Sequence, residues 1–357
     1  MKNNQQFVIK FSFLLALLSL VLLYNGCKKD TVDETCSDGI MNQGETSIDC
    51  GGPCTCNTAS CSDGIMNNGE TSIDCGGPNC TACPLTARDS AILDYNTTYL
   101  PNEVSSPGWT GDVSSCNAGS APQSTHDKVI LRINYFRRLV GLNDNTTLDA
   151  SLFQKYQEAA LMMKANNALS HSPPNTWTCW TQLGADGAAT SNLYLGIHST
   201  AAVTGFIMDP GASNIRVGHR RWVLHSPKTK FSYGTTDNSM SLGVIGLAGG
   251  NTKIPEFIAY PPKGYIPQPL MNTTRWSFGI PDADFSNATV TMTGVSGAIN
   301  LTVVSNDAVG YGDNTIVWEP QGLTLSSESD ISYTVTVSGV ANAPKTTYTY
   351  TTILVKP

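Results

Sequence analysis

A direct repeat of cysteines near the start of the chain restricts its fold more than any other feature. The segments that begin at Cys36 and Cys61 share the pattern Cys-Ser-Asp-Gly-Ile-Met-Asn, repeat with a period of 25 residues and carry four cysteines each. Units below about 40 residues seldom bury enough apolar surface to fold alone, and this unit has only Ile and Met to bury. Disulfide bonds must replace the missing core, so we predict two small disulfide-rich repeats over residues 36–83.

The segment before the repeats has the features of an export signal. Lys2 and Lys10 precede an apolar run over residues 11–23, and Gly26 comes directly before Cys27. A short basic region, an apolar run and a small residue near the cleavage point are typical of a secretory signal peptide. A retained transmembrane helix is disfavoured because about 20 apolar residues are needed to cross a bilayer.

The residues around Cys27 resemble a bacterial lipobox, which implies that this cysteine carries a lipid. A lipid anchor fixes a protein to a membrane face while its folded part stays in water. We therefore expect an exported protein on the outer membrane or cell surface of a bacterium, with the membrane as a partner through the anchor. The predicted organisation is a signal peptide over 1–26, a lipidated tether over 27–35, and a lead-in segment over 84–120 after the repeats.

The remaining cysteines agree with an oxidising compartment. The chain has 11 cysteines, and setting Cys27 aside leaves an even number, which allows five disulfide bonds. Cys116 and Cys179 are the two outside the repeats, and we predict that they pair. Closing the loop between them would stabilise the fold by about 4 kcal/mol in the chain-entropy account of disulfide bonds.

Each repeat also carries carboxylate and amide oxygens around turn glycines. Calcium prefers such hard oxygen ligands, so it is a candidate cofactor of the repeats. Asp-Gly and Asn-Gly pairs also form turns without a metal, and this alternative stays open. Zinc bound by the cysteines is disfavoured after export. The candidate calcium ligands are Asp38, Asn42, Glu45 and Asp49 in the first repeat, and Asp63, Asn67, Glu70 and Asp74 in the second.

The charge of the chain argues against nucleic acid as a partner. There are 21 Lys and Arg residues against 28 Asp and Glu residues, and the net charge is −7. Proteins that bind DNA or RNA need a basic surface to neutralise phosphates. The composition therefore argues against nucleic-acid binding. The function must be inferred from the candidate site residues.

Hydrophobic periodicity predicts helices followed by strands in the middle of the chain. Apolar residues recur at helical spacing between Val129 and Val140, and a second amphipathic helix follows Asp149. This order of elements favours an α+β layered unit. The strand patterns lie at residues 230–235, 240–247 and 257–260.

Three blocks of this region resemble the CAP (SCP) superfamily of cysteine-rich secretory, antigen 5 and pathogenesis-related proteins. They are Leu-Arg-Ile-Asn-Tyr-Phe-Arg-Arg at 131–138, Leu-Ser-His-Ser at 169–172, and Gly-His-Arg-Arg-Trp at 218–222. The resemblance covers residues 121–262. It implies a three-layer α-β-α sandwich with a cleft lined by two histidines and two acids, and it places His171 and His219 on the histidine positions.

The acidic positions depart from the family pattern. Ser191 stands where the family commonly has Glu, and the second acid has no firm counterpart, although Asp209 is near in sequence. Two imidazoles can bind zinc or a similar divalent metal, but a stable site normally has further donors. The two histidines can instead bond nearby carbonyls and hold loops. His171, His219 and Ser191 are therefore candidate cleft residues, and His171 and His219 are candidate ligands of a divalent metal.

Two functions follow from these residues. The first is non-catalytic binding of a small apolar ligand or a component of the cell envelope in the two-histidine cleft. The second is a metal-assisted hydrolase or peptidase that uses His171 and His219. The apparent loss of a carboxylate beside the histidines, and the lack of a Gly-x-Ser-x-Gly motif, favour the first.

The last ninety residues alternate Thr or Ser with apolar residues, which is the period of half-buried strands. Several short strands separated by turn signals predict an immunoglobulin-like β-sandwich over residues 270–357. The proline-rich stretch at 260–269 predicts a stiff joint before it. The strand patterns lie at 288–293, 299–304, 315–318, 331–337 and 347–355.

Overall fold

The computed structural model divides the chain into two compact units, at Pro84 and Leu85. None of the helices in the described part of the chain is both long and apolar enough to cross a membrane. The expected signal peptide, the tether with Cys27, Asp38, Asp63 and Asn67 lie outside the described residues. The described residues are 36, 39–42, 44–46, 48–49, 52–54, 61–62, 66, 69–250, 254–306 and 310–357.

Disulfide bonds hold the first unit, in agreement with the sequence-based expectation. The bonds join Cys36 to Cys54, Cys61 to Cys80, and Cys75 to Cys83, so these pairings stay within a repeat. The apolar side chains contribute little burial, because Met41 is 61% exposed and Met66 is 62% exposed. Covalent closure therefore replaces a hydrophobic core here.

The second unit begins with a mixed α/β region around a four-stranded sheet. The strand order is β1-β3-β4-β2, with β1 parallel to β3 and the other neighbours antiparallel. The elements are α1 (Ala87–Asp94), α2 (Gln123–Leu139), β1 (Thr147–Leu148), α3 (Phe153–Asn166), α4 (Gln182–Ala189), β2 (Ser191–Leu195), α5 (Ser199–Met208), α6 (Gly218–Val223), β3 (Lys230–Thr235) and β4 (Ser239–Gly243).

Small residues on one face of this sheet allow α3 to lie close to it. A Cβ atom at Gly234 would lie 2.2 Å from the Cα of Gln157, and one at Gly243 would lie 2.2 Å from the Tyr156 ring. The Ser239 hydroxyl donates to the Ala160 carbonyl at 2.8 Å. At Gly234 the backbone of α3 is therefore in direct contact with the sheet, and at Gly243 the Tyr156 ring fills the space.

Large apolar side chains cover the opposite face of the sheet. Phe231 and Leu242 are fully buried and belong to one core with residues of α2 and α5. This alternation of small and large residues along β3 and β4 is the two-residue period of a strand buried on both faces. The helix residues of that core are Val129, Ile133 and Phe136 from α2, and Val203, Phe206 and Ile207 from α5.

Two further sheets form the C-terminal part of the same unit. Their strand orders are β10-β11-β7-β5 and β6-β13-β12-β8-β9. Trp276 and Trp318 are fully buried in the core that they share. The strands are β5 (Ile258–Tyr260), β6 (Gly264–Pro267), β7 (Trp276–Gly279), β8 (Thr289–Gly294), β9 (Gly297–Ile299), β10 (Leu301–Ser305), β11 (Thr315–Pro320), β12 (Ile331–Ser338) and β13 (Thr347–Val355).

The proline-rich stretch at 260–269 is not a joint between two bodies. Strand β5 pairs with β7, and β6 runs parallel to β13, so residues on both sides of Pro261 belong to the C-terminal sheets. Strand β5 confirms the strand pattern at 257–260, whereas β6 is too short for a periodic signal and the prolines around it suggest a linker. The C-terminal sheets therefore start at Ile258 rather than at residue 270.

A methyl group at Gly234 tests the close packing of α3. Gly234→Ala should lower the free energy of unfolding by about 3 kcal/mol, because the added carbon meets helix backbone that cannot rotate away. Denaturant unfolding measures this change. Gly250→Ala is the control, since its Cβ would meet only the Thr229 methyl at 3.4 Å. Equal stability of the two variants would contradict the described packing.

Candidate functional site

A cleft on the α/β region brings His171, Ser191 and His219 together. His171 lies in the loop after α3, Ser191 opens β2, and His219 lies in the first turn of α6. All three line one cavity of about 340 Å³. A second cavity of about 450 Å³ shares His171, Ser213, Asn214 and His219 with the first. The two cavities therefore meet at the histidine pair and form the two lobes of one cleft.

Asp209 fixes the position of His219. This aspartate ends α5 in the left-handed conformation and has a fully buried side chain. Its Oδ1 accepts a hydrogen bond from Nδ1 of His219 at 2.8 Å, and its Oδ2 accepts one from the His219 backbone N–H at 3.0 Å. Oδ2 also accepts from the backbone N–H of Arg220 at 3.3 Å. The carboxylate thus caps the start of α6 and orients the imidazole at once.

His171 is held by a backbone carbonyl. Its Nδ1 lies 2.9 Å from the carbonyl oxygen of Ala188, near the end of α4. A carbonyl and a carboxylate can only accept, so Nδ1 carries the proton in both neutral rings. The lone pair is then on Nε2 of both His171 and His219, and neither Nε2 makes a hydrogen bond with a described residue.

Ser191 has a structural role in this arrangement. Its hydroxyl donates to the Gly187 carbonyl at 2.9 Å and accepts from the Ser241 hydroxyl at 2.8 Å. The residue is 4% exposed. The serine that replaces the expected glutamate therefore joins β2 to α4 and β4. Next to it, the side-chain amide of Asn192 donates to the His219 carbonyl at 3.0 Å and ties α6 to β2.

Arg220 joins α6 to the segment at 273–277 next to the site. Its guanidinium is completely buried and uses all five N–H groups. Burial lowers the pKa of Arg220 to about 10, and the charge of Asp209 opposes this effect. Its acceptors are the carbonyls of Ile207, Met208 and Arg275 and the hydroxyls of Thr273 and Ser277.

Arg275 holds the loop that carries Ser213 and Asn214. This arginine, just before β7, donates from Nη1 to the Gly211 carbonyl at 2.8 Å and to the Asn214 carbonyl at 3.4 Å. Its Nε pairs with Glu319 at 2.9 Å. The C-terminal sheets thus position one wall of the cleft. A single sequence gives no signal for this, because the partners are backbone carbonyls about sixty residues away.

The remaining histidines do not join the cleft. His126 stacks on Phe153 with ring centroids 4.3 Å apart, and His225 Nε2 lies 3.7 Å from Asp313. His198 precedes α5 as its N-cap residue. Burial lowers the pKa of all three imidazoles. None of these three histidines lines the two cavities of the cleft.

The expected disulfide bond between Cys116 and Cys179 is present. Trp177 and Trp180 pack on the small core formed between α3, α4 and β2. Neither lines the two cavities of the cleft. The disulfide therefore fastens the lead-in segment to the loop after His171.

Carboxylates of the repeats bind backbone N–H groups. Oε2 of Glu45 accepts from Asn42 at 3.2 Å and from Asp49 at 3.1 Å, and Asp49 accepts from Gly39 at 3.1 Å. Oε2 of Glu70 accepts from Asp74 at 3.2 Å. Oε1 of Glu45 is buried without a hydrogen-bond partner among the described residues. The carboxylates therefore stabilise turns, which is the alternative to a metal site. Calcium binding by the oxygen ligands of the repeats stays a prediction.

One further group of metal-binding residue types lies in the second repeat. Cys61, Glu70 and Cys80 have side-chain ligand atoms within 4.8 Å of one another. Cys61 and Cys80 form a disulfide bond, so neither sulfur is a thiolate. Metals bind the thiolate form of cysteine, and this group therefore has one ligand only.

Comparison with known proteins agrees with this geometry over part of the chain. Residues 130–242 match the cysteine-rich secretory protein family, CAP. The chain therefore contains a CAP superfamily domain, and this segment includes His171, Asp209 and His219. No curated protein and no solved structure gives a significant match.

Removal of the Asp209 carboxylate tests its role in the site. Asp209→Ala should lower the free energy of unfolding by about 3 kcal/mol, because two backbone N–H groups and the His219 ring lose their acceptor. Asp186→Ala is the matched control: Asp186 is exposed on α4 and its carboxylate accepts from Gln182. The control should change stability by less than about 0.5 kcal/mol. Denaturant unfolding measures both changes, and equal free energies of unfolding in the two variants would contradict the supporting role of Asp209.

Proposed function

We propose that the CAP domain provides a ligand-binding cleft on an exported protein that is anchored by lipid at a bacterial cell surface. The ligand is a small amphipathic component of the cell envelope. The observation that carries the proposal is the pair of Nε2 lone pairs, of His171 and His219, at the meeting point of two lobes with different chemistry. These lone pairs accept hydrogen bonds from the polar part of the ligand.

The lobes differ in the side chains that line them. Leu169, Leu193, Leu195 and Pro210 line the larger lobe, which suits an apolar chain. The smaller lobe is lined beside the histidines by polar residues, by Trp222 and Tyr311, and by the apolar Ala189, Val244 and Ile245. Small-molecule sites commonly combine an apolar lining with a few polar groups that orient the ligand.

Binding is favoured over hydrolysis because no hydroxyl or thiol among the described residues is hydrogen-bonded to either cleft imidazole. Nucleophilic catalysis by serine needs a hydroxyl within hydrogen-bond reach of a base. The Ser191 hydroxyl is buried and already bonds Gly187 and Ser241. The described hydrogen bonds of His171 and His219 include none to a serine, threonine or cysteine side chain.

A metal-assisted hydrolase is the second candidate, and the Asp209–His219 contact favours it. Metal-bound histidines usually donate their other ring N–H to a carboxylate or a carbonyl, and both imidazoles here do so. The two Nε2 atoms would hold a divalent ion such as zinc, which supplies Lewis acidity to a bound water. Within the described residues, no third Asp, Glu, Cys or His forms a ligand group with the pair.

Export is supported by the disulfide bonds. Four disulfide bonds occur among the described residues, and such bonds persist in oxidising compartments.

Lipid attachment at Cys27 predicts that cells grown with labelled palmitate incorporate the label into the protein. Cys27→Ser should abolish the labelling, while Cys116→Ser should keep it. Equal labelling of wild type and Cys27→Ser would contradict the anchor.

The cleft is tested with octyl glucoside, which joins an apolar chain to a polar ring. Saturation-transfer NMR below its micelle concentration should detect binding to the wild type. His171→Ala and His219→Ala should each weaken the affinity about tenfold, the cost of one lost hydrogen bond. His198→Ala should leave it unchanged.

A parallel zinc titration separates the two candidates. Stoichiometric zinc binding that is lost in His219→Ala, together with no binding of octyl glucoside, would favour the hydrolase. If neither zinc nor octyl glucoside binds, the proposal that the cleft is a binding site is contradicted.

A further inference from the structure

The C-terminal sheets contribute an aromatic side chain to the cleft. Residues 310–314, which lead into β11, lie against α6, and Gly310 and Tyr311 among them line the smaller lobe with His171 and His219. The Tyr311 side chain comes from outside the segment that matches the CAP family. The smaller lobe is therefore built from both parts of the second unit.

Tyr311 is held firmly in this position. Its ring lies against Gly218, where an added Cβ would be 3.0 Å from Cδ1 of the tyrosine, and the Arg221 guanidinium lies 5.7 Å from the ring centroid. The tyrosine is nevertheless 38% exposed. One side of the ring is thus supported by α6, and the remaining part is accessible to a ligand.

Hydrogen bonds fasten the loop on the other side of Tyr311. The Asp313 carboxylate accepts from the Ser226 backbone N–H at 2.8 Å and from the Ser226 hydroxyl at 2.9 Å. The Asp313 carbonyl accepts from Nε of Arg221 at 3.1 Å. The ring is therefore preorganised, which lowers the entropy that a ligand must overcome.

We propose that Tyr311 is a specificity-determining residue that stacks on a neutral or acidic pyranose ring in the smaller lobe. This inference rests on the proposed function of the cleft. The C–H groups of a pyranose carry partial positive charge, which an aromatic face attracts. Trp222 lines the same lobe and adds a second aromatic surface.

The polar lining of the lobe suits the hydroxyl groups of a sugar. Asn192, Ser213 and Asn214 supply amide and hydroxyl groups, and the histidine Nε2 atoms accept from O–H donors. Arg216 is the permanently charged residue among the described residues that line this lobe. Its guanidinium repels an ammonium group, so a sugar that carries one should bind more weakly than a neutral sugar.

The experiment measures saturation transfer from the full chain to glucuronic acid, methyl glucoside and glucosamine. Ring protons of the first two should receive saturation, and glucosamine should bind more weakly. Tyr311→Ala should weaken the affinity for glucuronic acid about tenfold, while Tyr311→Phe keeps it because the stacking face is retained. Thermal melting confirms that both variants fold.

The outcomes separate this inference from the proposed function. Unchanged glucuronic acid affinity in Tyr311→Ala, or no transfer to either sugar, overturns the inference even if octyl glucoside still binds through its apolar chain. Sugar binding that depends on Tyr311 but persists in His171→Ala and His219→Ala would support stacking on Tyr311. It would contradict the proposal that the two histidines bind the ligand.

Discussion

The buried carboxylate of Asp209 is the interaction on which the cleft depends. It binds the ring and the backbone of His219 and the backbone of Arg220, so one group sets both the start of α6 and the tautomer of the histidine. Removing such a charge from water costs several kcal/mol, which hydrogen bonds must offset. Three N–H donors do so here. The neighbouring guanidinium of Arg220 adds a favourable electrostatic contribution.

The two parts of the second unit are joined by buried arginines rather than by a linker. Arg220 reaches from α6 to Thr273, Arg275 and Ser277, and Arg275 reaches back to the loop at Gly211. Guanidinium groups can satisfy several carbonyls at once, because their N–H groups point in fixed directions. The C-terminal sheets therefore shape the cleft in addition to packing beside the CAP domain.

Much of the fold could be predicted from the sequence, because its signals are local. The repeats follow from cysteine spacing, and β3 and β13 have the bounds that their alternation predicts. The strand pattern at 257–260 correctly predicts β5, but not its place in the C-terminal sheets. Strand β6 could not be recognised, because it is short, the prolines around it suggest a linker, and its partner β13 is distant in sequence.

The histidines of the site could also be predicted, while their partners could not. His171 and His219 stand in recognisable blocks, but the acceptor of His171 is a backbone carbonyl, which has no side-chain signature. Asp209 was visible as a nearby acid, yet only the turn at the end of α5 places it under His219. Tyr311 could not be predicted as a site residue, because it lies about ninety residues after α6 in the sequence.

The most direct test of the cleft is the protonation of the two imidazoles. Long-range ¹H–¹⁵N NMR of histidine side chains, recorded at a pH where both rings are neutral, distinguishes protonated from unprotonated ring nitrogens. We expect a protonated Nδ1 and an unprotonated Nε2 for both His171 and His219. A protonated Nε2 on either ring would contradict this expectation, because the cleft would then present a donor where the proposal requires a lone pair.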